Sequence, residues 1–184
     1  MQFDPLSLSG LVLIRPARHG DARGWFSEVW RRDQWEKAGV KADFVQDNQS
    51  FSAQTGTVRG LHYQLPPFAQ AKLVRAVSGR LLDVAVDIRR SSPTFGRAVA
   101  VELSAVGGEQ LFIPAGFAHG FCTLEPDTSL AYKVDAYYSA AHDRGIRWND
   151  PALGIDWPVS DAAAMLSDKD RKQPFLSEVA DLFD

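Results

Sequence analysis

At 184 residues, with 45% apolar and 23% charged side chains, the chain has enough material for one well-buried core but not comfortably for two domains. Twenty Lys and Arg against 23 Asp and Glu give a net charge of −3 with no long run of one sign, which argues against a general nucleic-acid or membrane-surface binder. The opening MQFDPLSLSG lacks the basic start of a signal peptide, no apolar run nears the roughly 18–20 residues of a membrane span, and the single cysteine, Cys122, fits a reducing cytoplasm.

Along the chain, short segments of alternating polarity follow one another. LVLIRPA (11–17) and GWFSEVW (24–30) read as strands, with HGD (19–21) as a turn between them. RRDQWEKAG (31–39) reads as a short helix ended by Gly39. DFVQDN (43–48), TVRGLHYQ (57–64) and AKLVRAV (71–77) are further strand candidates. In LLDVAVDI (81–88), Leu82, Val84, Val86 and Ile88 share one face and Asp83, Ala85 and Asp87 the other, which predicts a half-buried strand. AVAVEL (98–103) repeats the pattern with Val99, Val101 and Leu103, and EQLFIPA (109–115) and SLAYKVDAYY (129–138) follow. From about Asp161 one or two short helices are expected, broken at Pro174. About ten strands with few helices predict an all-β antiparallel sandwich or barrel, and without repeat or linker residues 1–184 read as a single domain.

Two segments have the spacing of the paired motifs of the cupin barrels, a jelly-roll family. Gly108, Pro114, Gly116 and His119 fit G-x5-P-x-G-x2-H, with Thr123 where that family often has asparagine. Gly56 and His62 open the other motif and Gly79 suits its end, but its second histidine is Gln64 and no glutamate follows before Gly79. A first-row metal needs three or four ligands converging at about 2.0–2.3 Å. His62 and His119 are too few, so a cupin-like barrel without a metal is expected.

Strict alternation places His62 and Gln64 on the face of Val58 and Gly60, Lys72 on that of Val74 and Ala76, and Tyr132 on that of Leu130 and Val134. A histidine, a lysine and a tyrosine lining one lumen suit chemistry beside a carbonyl. Imidazole removes a weakly acidic C–H proton, a phenol returns one from the opposite side, and an ammonium stabilises the enolate. Each has a plainer reading, as a hydrogen-bonded core histidine, a lysine snorkelling to the rim, or a packed tyrosine.

Longer ordered stretches carry a more specific resemblance. They include DARGWFSE (21–28), FVQDN (44–48), VRGLHYQ (58–64), AKLVR (71–75), DVAVDIR (83–89), SPTFG (92–96), FIPAGFAHGF (112–121), YK (132–133), YYS (137–139) and IRWNDP (146–151). On these, nearly the whole chain resembles the dTDP-4-dehydrorhamnose 3,5-epimerase family. The resemblance implies a cytoplasmic, metal-free, cofactor-free cupin-like jelly roll acting as a homodimer on dTDP-4-dehydro-6-deoxy-D-glucose. It implies that His62 is the base, Tyr132 the acid and Lys72 the enolate stabiliser. It also implies, through LSDKD (166–170), that Asp170 orients His62. By the same resemblance, Arg23, Glu28, Gln46, Asp47, Asn48, Arg59, His119 and Lys169 contact substrate and Tyr138 stacks on thymine. Asp143 stands where the family has a glutamate. Trp25 and Phe26 fit packing or nucleotide contact equally. The rival readings are a single-centre epimerase, a non-catalytic dTDP-sugar-binding cupin and a metal-dependent cupin enzyme.

Overall fold

A strand with apolar residues on one face must bury that face against another layer, and this chain supplies enough such strands for two sheets. The computed structural model describes residues 1–40 and 42–184. Its six-stranded sheet runs β1 (Gln2–Pro5), β2 (Val12–Arg15), β10 (Gln110–Ile113), β7 (Lys72–Ser78), β12 (Thr128–Val134), β5 (Gln46–Ser52). The five-stranded sheet runs β13 (Asp143–Gly145), β6 (Val58–Gln64), β11 (Phe117–Thr123), β8 (Arg80–Asp87), β9 (Ala98–Ser104). A separate hairpin joins β3 (His19–Asp21) to β4 (Gly24–Phe26). All strand pairings within the sheets are antiparallel. From β5 to β13 the chain passes repeatedly between the sheets, staying in the same one only from β8 to β9. The architecture is the expected antiparallel jelly roll. Among the described residues there are thirteen strands rather than about ten. Three of these, β3, β4 and β13, span only three residues each, too few to show alternation.

The core between the sheets joins Leu13, Val74, Leu111 and Leu130 from one layer to Leu81, Leu103, Phe117 and Phe121 from the other. Val99 and Val101 pack on the same cluster as Leu103, as the pattern of 98–103 predicts. β8 departs from expectation. Its parity is as read, but it is buried on both faces, because Val84, Val86 and Ile88 are covered by Leu153, Trp157, Leu176 and Phe183. The carboxylates of Asp83 and Asp87 are therefore interior, since the face opposite Val84 turns towards the other sheet. Asp87 is satisfied there by Arg89, Ser92 and Thr94.

Helix is confined to short pieces. α1 (Arg32–Lys37) buries Trp35 against Ile14, Leu73 and Phe112 on the outer side of the six-stranded sheet, and the chain leaves it through Gly39 at φ +79°. α2 (Asp168–Arg171) and a 3-10 turn at Leu176–Glu178 flank Pro174, as expected. No helix among the described residues is long and apolar enough to cross a membrane.

One local irregularity shapes everything that follows. Between β6 and β11, His62 pairs with His119 and Arg59 with Phe121, so three steps on β6 match two on β11. This is a β-bulge, which reverses the alternation of the bulged strand. Arg59 and His62 thereby come to one face, while Val58 turns outward to Cys122 and Trp148. The expectation that Val58 shares the face of His62 is thus corrected. The bulge sits at Gly60, with φ +125°, where an added Cβ would lie 2.6 Å from Gly120 Cα. Gly60→Ala should therefore destabilise the protein by roughly 2–4 kcal/mol. A denaturant midpoint equal to that of the parent would contradict this account.

Candidate functional site

Towards one end of the sandwich the layers part around a cavity of about 630 Å³, a size suited to a small-molecule ligand. Phe121 and Leu130 belong both to the core and to this cavity, and so mark where close packing gives way to open space.

His62, Lys72, His119 and Tyr132 come from four strands, β6, β7, β11 and β12, and all line this one cavity. His62 Nε2 lies 2.6 Å from Asp170 Oδ1. Asp170 is carried by α2, whose N-cap Ser167 accepts the Asp170 backbone N–H at 3.1 Å, so a serine three residues earlier fixes the backbone that carries the carboxylate. Burial opposes the ionised form of Asp170, but bonding to His62 prevails and holds the carboxyl below its ordinary range. An ionised carboxylate only accepts hydrogen bonds, so Nε2 carries the proton and Nδ1 is left as the basic nitrogen.

Lys72 is buried, and its only hydrogen bond among the described residues is a long one, 3.4 Å to the His62 carbonyl. Burial lowers its pKa to about 8, against the opposing pull of Asp83 and Asp143. The Tyr132 phenol is pushed upward by burial and by Asp143, with Arg59 acting the other way, so it holds its proton at neutral pH. His119 Nε2 meets both oxygens of Asp83, at 3.0 and 2.9 Å.

The remaining expected residues divide into two groups. Gln46, Asn48, Arg59, Tyr138, Asp143 and Lys169 line the cavity. Gln46 Nε2 donates to Asn48 Oδ1 at 2.9 Å, and Gln46 Oε1 accepts the Tyr138 backbone N–H at 3.2 Å. Tyr138 is exposed, with its hydroxyl 3.2 Å from Asp143 Oδ2, the oxygen that also pairs with Lys169. Asp47, Arg23 and Glu28, expected to contact substrate, do not line this cavity. Asp47 lies between Gln46 and Asn48 on β5, so alternation turns it to the outer face, where it binds Lys133 at 2.8 Å. Arg23 is in the β3–β4 hairpin and pairs with Asp21, while Glu28 lies 3.6 Å from Arg31. Trp25 and Phe26 on the same hairpin are 58% and 68% exposed.

Among the described residues no three His, Cys, Asp or Glu side chains form a metal-holding group. Gln64, at the position of a cupin ligand, spends its amide on the carbonyls of Phe68 and Tyr137 and on the Ser139 N–H. Asp83, which bonds the cavity-lining His119, was not singled out by sequence reasoning, nor were the lining residues Ser50, Gln70 and Met165. The signal for Asp83 was present: a carboxylate beside Ala85 on a strand whose other face is continuously apolar.

Comparison with known proteins was informative over nearly the whole chain. The model of the dTDP-4-dehydrorhamnose 3,5-epimerase family matches residues 5–178. A dTDP-4-dehydrorhamnose 3,5-epimerase of Sinorhizobium fredii is 56% identical over 97% of this chain and 91% of its own. The Bacillus anthracis enzyme of that name, solved with TDP and PPi bound, superposes with TM-score 0.92 at 48% identity, covering 95% of this chain and 98% of its own. The Legionella pneumophila dTDP-6-deoxy-D-glucose-3,5-epimerase, in complex with dTDP-4-keto-L-rhamnose, gives 0.92 at 42% identity over 97% and 94%.

The environment of Lys72 has a direct spectroscopic consequence. In protein carrying ¹³C-methylated lysines, the Lys72 resonance should titrate with a midpoint of about 8. A midpoint like that of an exposed lysine, near 10.4, would show that its burial has been misread.

Proposed function

The chain belongs to the dTDP-4-dehydrorhamnose 3,5-epimerase family, isomerases of dTDP-L-rhamnose biosynthesis, and from that premise we propose that His62 and Tyr132 carry its proton transfers. The single observation behind the proposal is that the His62–Asp170 pair and a protonated Tyr132 line one cavity. The C4 ketone of dTDP-4-dehydro-6-deoxy-D-glucose acidifies the hydrogens at C3 and C5. His62 Nδ1 takes one such proton, and the C–H electrons pass into an enolate on the C4 oxygen. Lys72 offsets that charge, while His119 presents Nδ1 to the sugar as a hydrogen-bond acceptor. Tyr132 then gives its proton to the opposite face of the carbon. Exchange with solvent restores both side chains, and a second cycle inverts the other centre. A positioned acid or base contributes about 10²–10⁴-fold, and one well-aimed donor to an oxyanion roughly 3–4 kcal/mol.

Binding follows from the charges around the cavity. Arg59 and Lys169 suit a diphosphate, Tyr138 offers an exposed ring for thymine, and Gln46, Asn48 and Asp143 supply polar contacts. The TDP of the Bacillus relative and the keto-sugar of the Legionella relative support this reading. The whole of 1–184 works as one domain in this scheme.

In D2O, deuterium should enter the product at both C3 and C5, and His62→Ala should lower turnover by at least ~10²-fold while dTDP affinity stays within a few-fold. Tyr132→Phe should impair product formation more than proton exchange. Exchange at one carbon alone would return the single-centre reading, and an active His62→Ala would remove His62 as the base.

We further propose a homodimer in which the hairpin bearing Arg23, Trp25 and Phe26, with Glu28 just beyond it, reaches a second copy. The support is the exposure of Trp25 and Phe26, with Phe51 and Val77 also exposed on β5 and β7. Sedimentation equilibrium should give twice the 20.3 kDa chain mass, and a monomer would remove this proposal.

A further inference from the structure

Asp83 and Asp87 are fully buried carboxylates on the same strand, yet they are satisfied in different ways. Asp87 holds Arg89, Ser92 and Thr94, which is ample reason for its presence as a structural clasp. Among the described residues Asp83 bonds one side chain only, with both its oxygens directed at a single nitrogen of His119. An uncompensated buried carboxylate is costly, and an apolar residue would fill its place more cheaply. What distinguishes the position is its surroundings. The His119 ring lines the cavity, and the Lys72 ammonium, with one long hydrogen bond of its own, lies within the field of Asp83.

We propose that Asp83 is a positioning residue for the enolate-stabilising side of the cavity, fixing the His119 ring and supplying the buried counter-charge of the Lys72 ammonium. The inference rests on the site assignment above. A carboxylate can only accept, so His119 Nε2 carries a proton and Nδ1 is the nitrogen left for the substrate. Loss of the negative charge would leave Lys72 in a buried setting with less to hold its proton. The other charged or titratable groups that line the cavity with Lys72 are Arg59, His62 and Tyr63 on β6, His119 on β11, Tyr132 on β12, Tyr138, Asp143 on β13, and Lys169 and Asp170 on α2. Of the carboxylates, Asp83 and Asp143 favour the ammonium, Asp83 the more strongly.

The test is the pH profile of kcat/KM for Asp83→Asn, measured beside wild type and Lys72→Ala. Asparagine keeps the shape and can still accept from Nε2 but carries no charge. In the wild type the alkaline limb should fall through about 8, the point at which the ammonium is lost. In Asp83→Asn that limb should move about one pH unit lower. At pH 8, kcat/KM should drop roughly five- to sixfold, with KM changed less than about threefold. A purely structural Asp83 would lower the melting temperature and leave the limb in place. That result, with Lys72→Ala inactive, overturns the inference and spares the site assignment. An active Lys72→Ala overturns both. Should Asp83→Asn fail to fold, ¹⁵N spectra of the wild-type imidazoles decide. The Nε2–H form of His119 is expected, and the Nδ1–H form would overturn the proposal.

Discussion

The arrangement inside this sandwich is governed by the cost of burying charge. Removing a carboxylate or an ammonium from water costs several kcal/mol even after relaxation, whereas two unit charges about 4 Å apart regain roughly 4 kcal/mol at an effective dielectric near 20. Interior charges must therefore come in partnerships. Asp170 has His62, Asp83 has His119, and Asp87 has a guanidinium and two hydroxyls. Among the described residues Lys72 is the least well partnered of these buried charges, with one long bond, and burial depresses its pKa to about 8. A poorly solvated cation next to open space is a strong attractor for any negative charge that develops there.

The same constraint governs how the positions with cupin spacing are used in this scaffold. In the positions where a metal would require converging ligands, both histidines direct Nε2 to carboxylates, and Gln64 is committed to the backbone. The bulge at Gly60 complements this by bringing Arg59 into the cavity alongside His62. A bulge here adds a cation without adding a strand. It is possible because Gly60 and Gly120 allow the two backbones to approach more closely than any side chain would permit.

Exposed features are organised by different physics. The β3–β4 hairpin carries two large aromatic rings into solvent and has its charged residues paired only locally. Surface ion pairs of this kind contribute at most about 1 kcal/mol, so they do not explain the hairpin's composition. Its side chains have no part in the core described here.

Much was legible from the amino-acid pattern alone. Alternation in 81–88 and 98–103 set the faces of those strands, Gly39 and Pro174 bounded the short helices, and ordered stretches such as VRGLHYQ and FIPAGFAHGF indicated the family. Those features are local, depending on period-two geometry or on the chain's own turn chemistry. Tertiary structure decided the rest. The parity of Arg59 depended on a bulge set by pairing with β11, and the outward turn of Asp47 on which side of β5 meets the other sheet. The burial of Asp83 depended on the C-terminal segment covering the opposite face of β8. In each case the determining partner lies far away in sequence, and only folding brings it near.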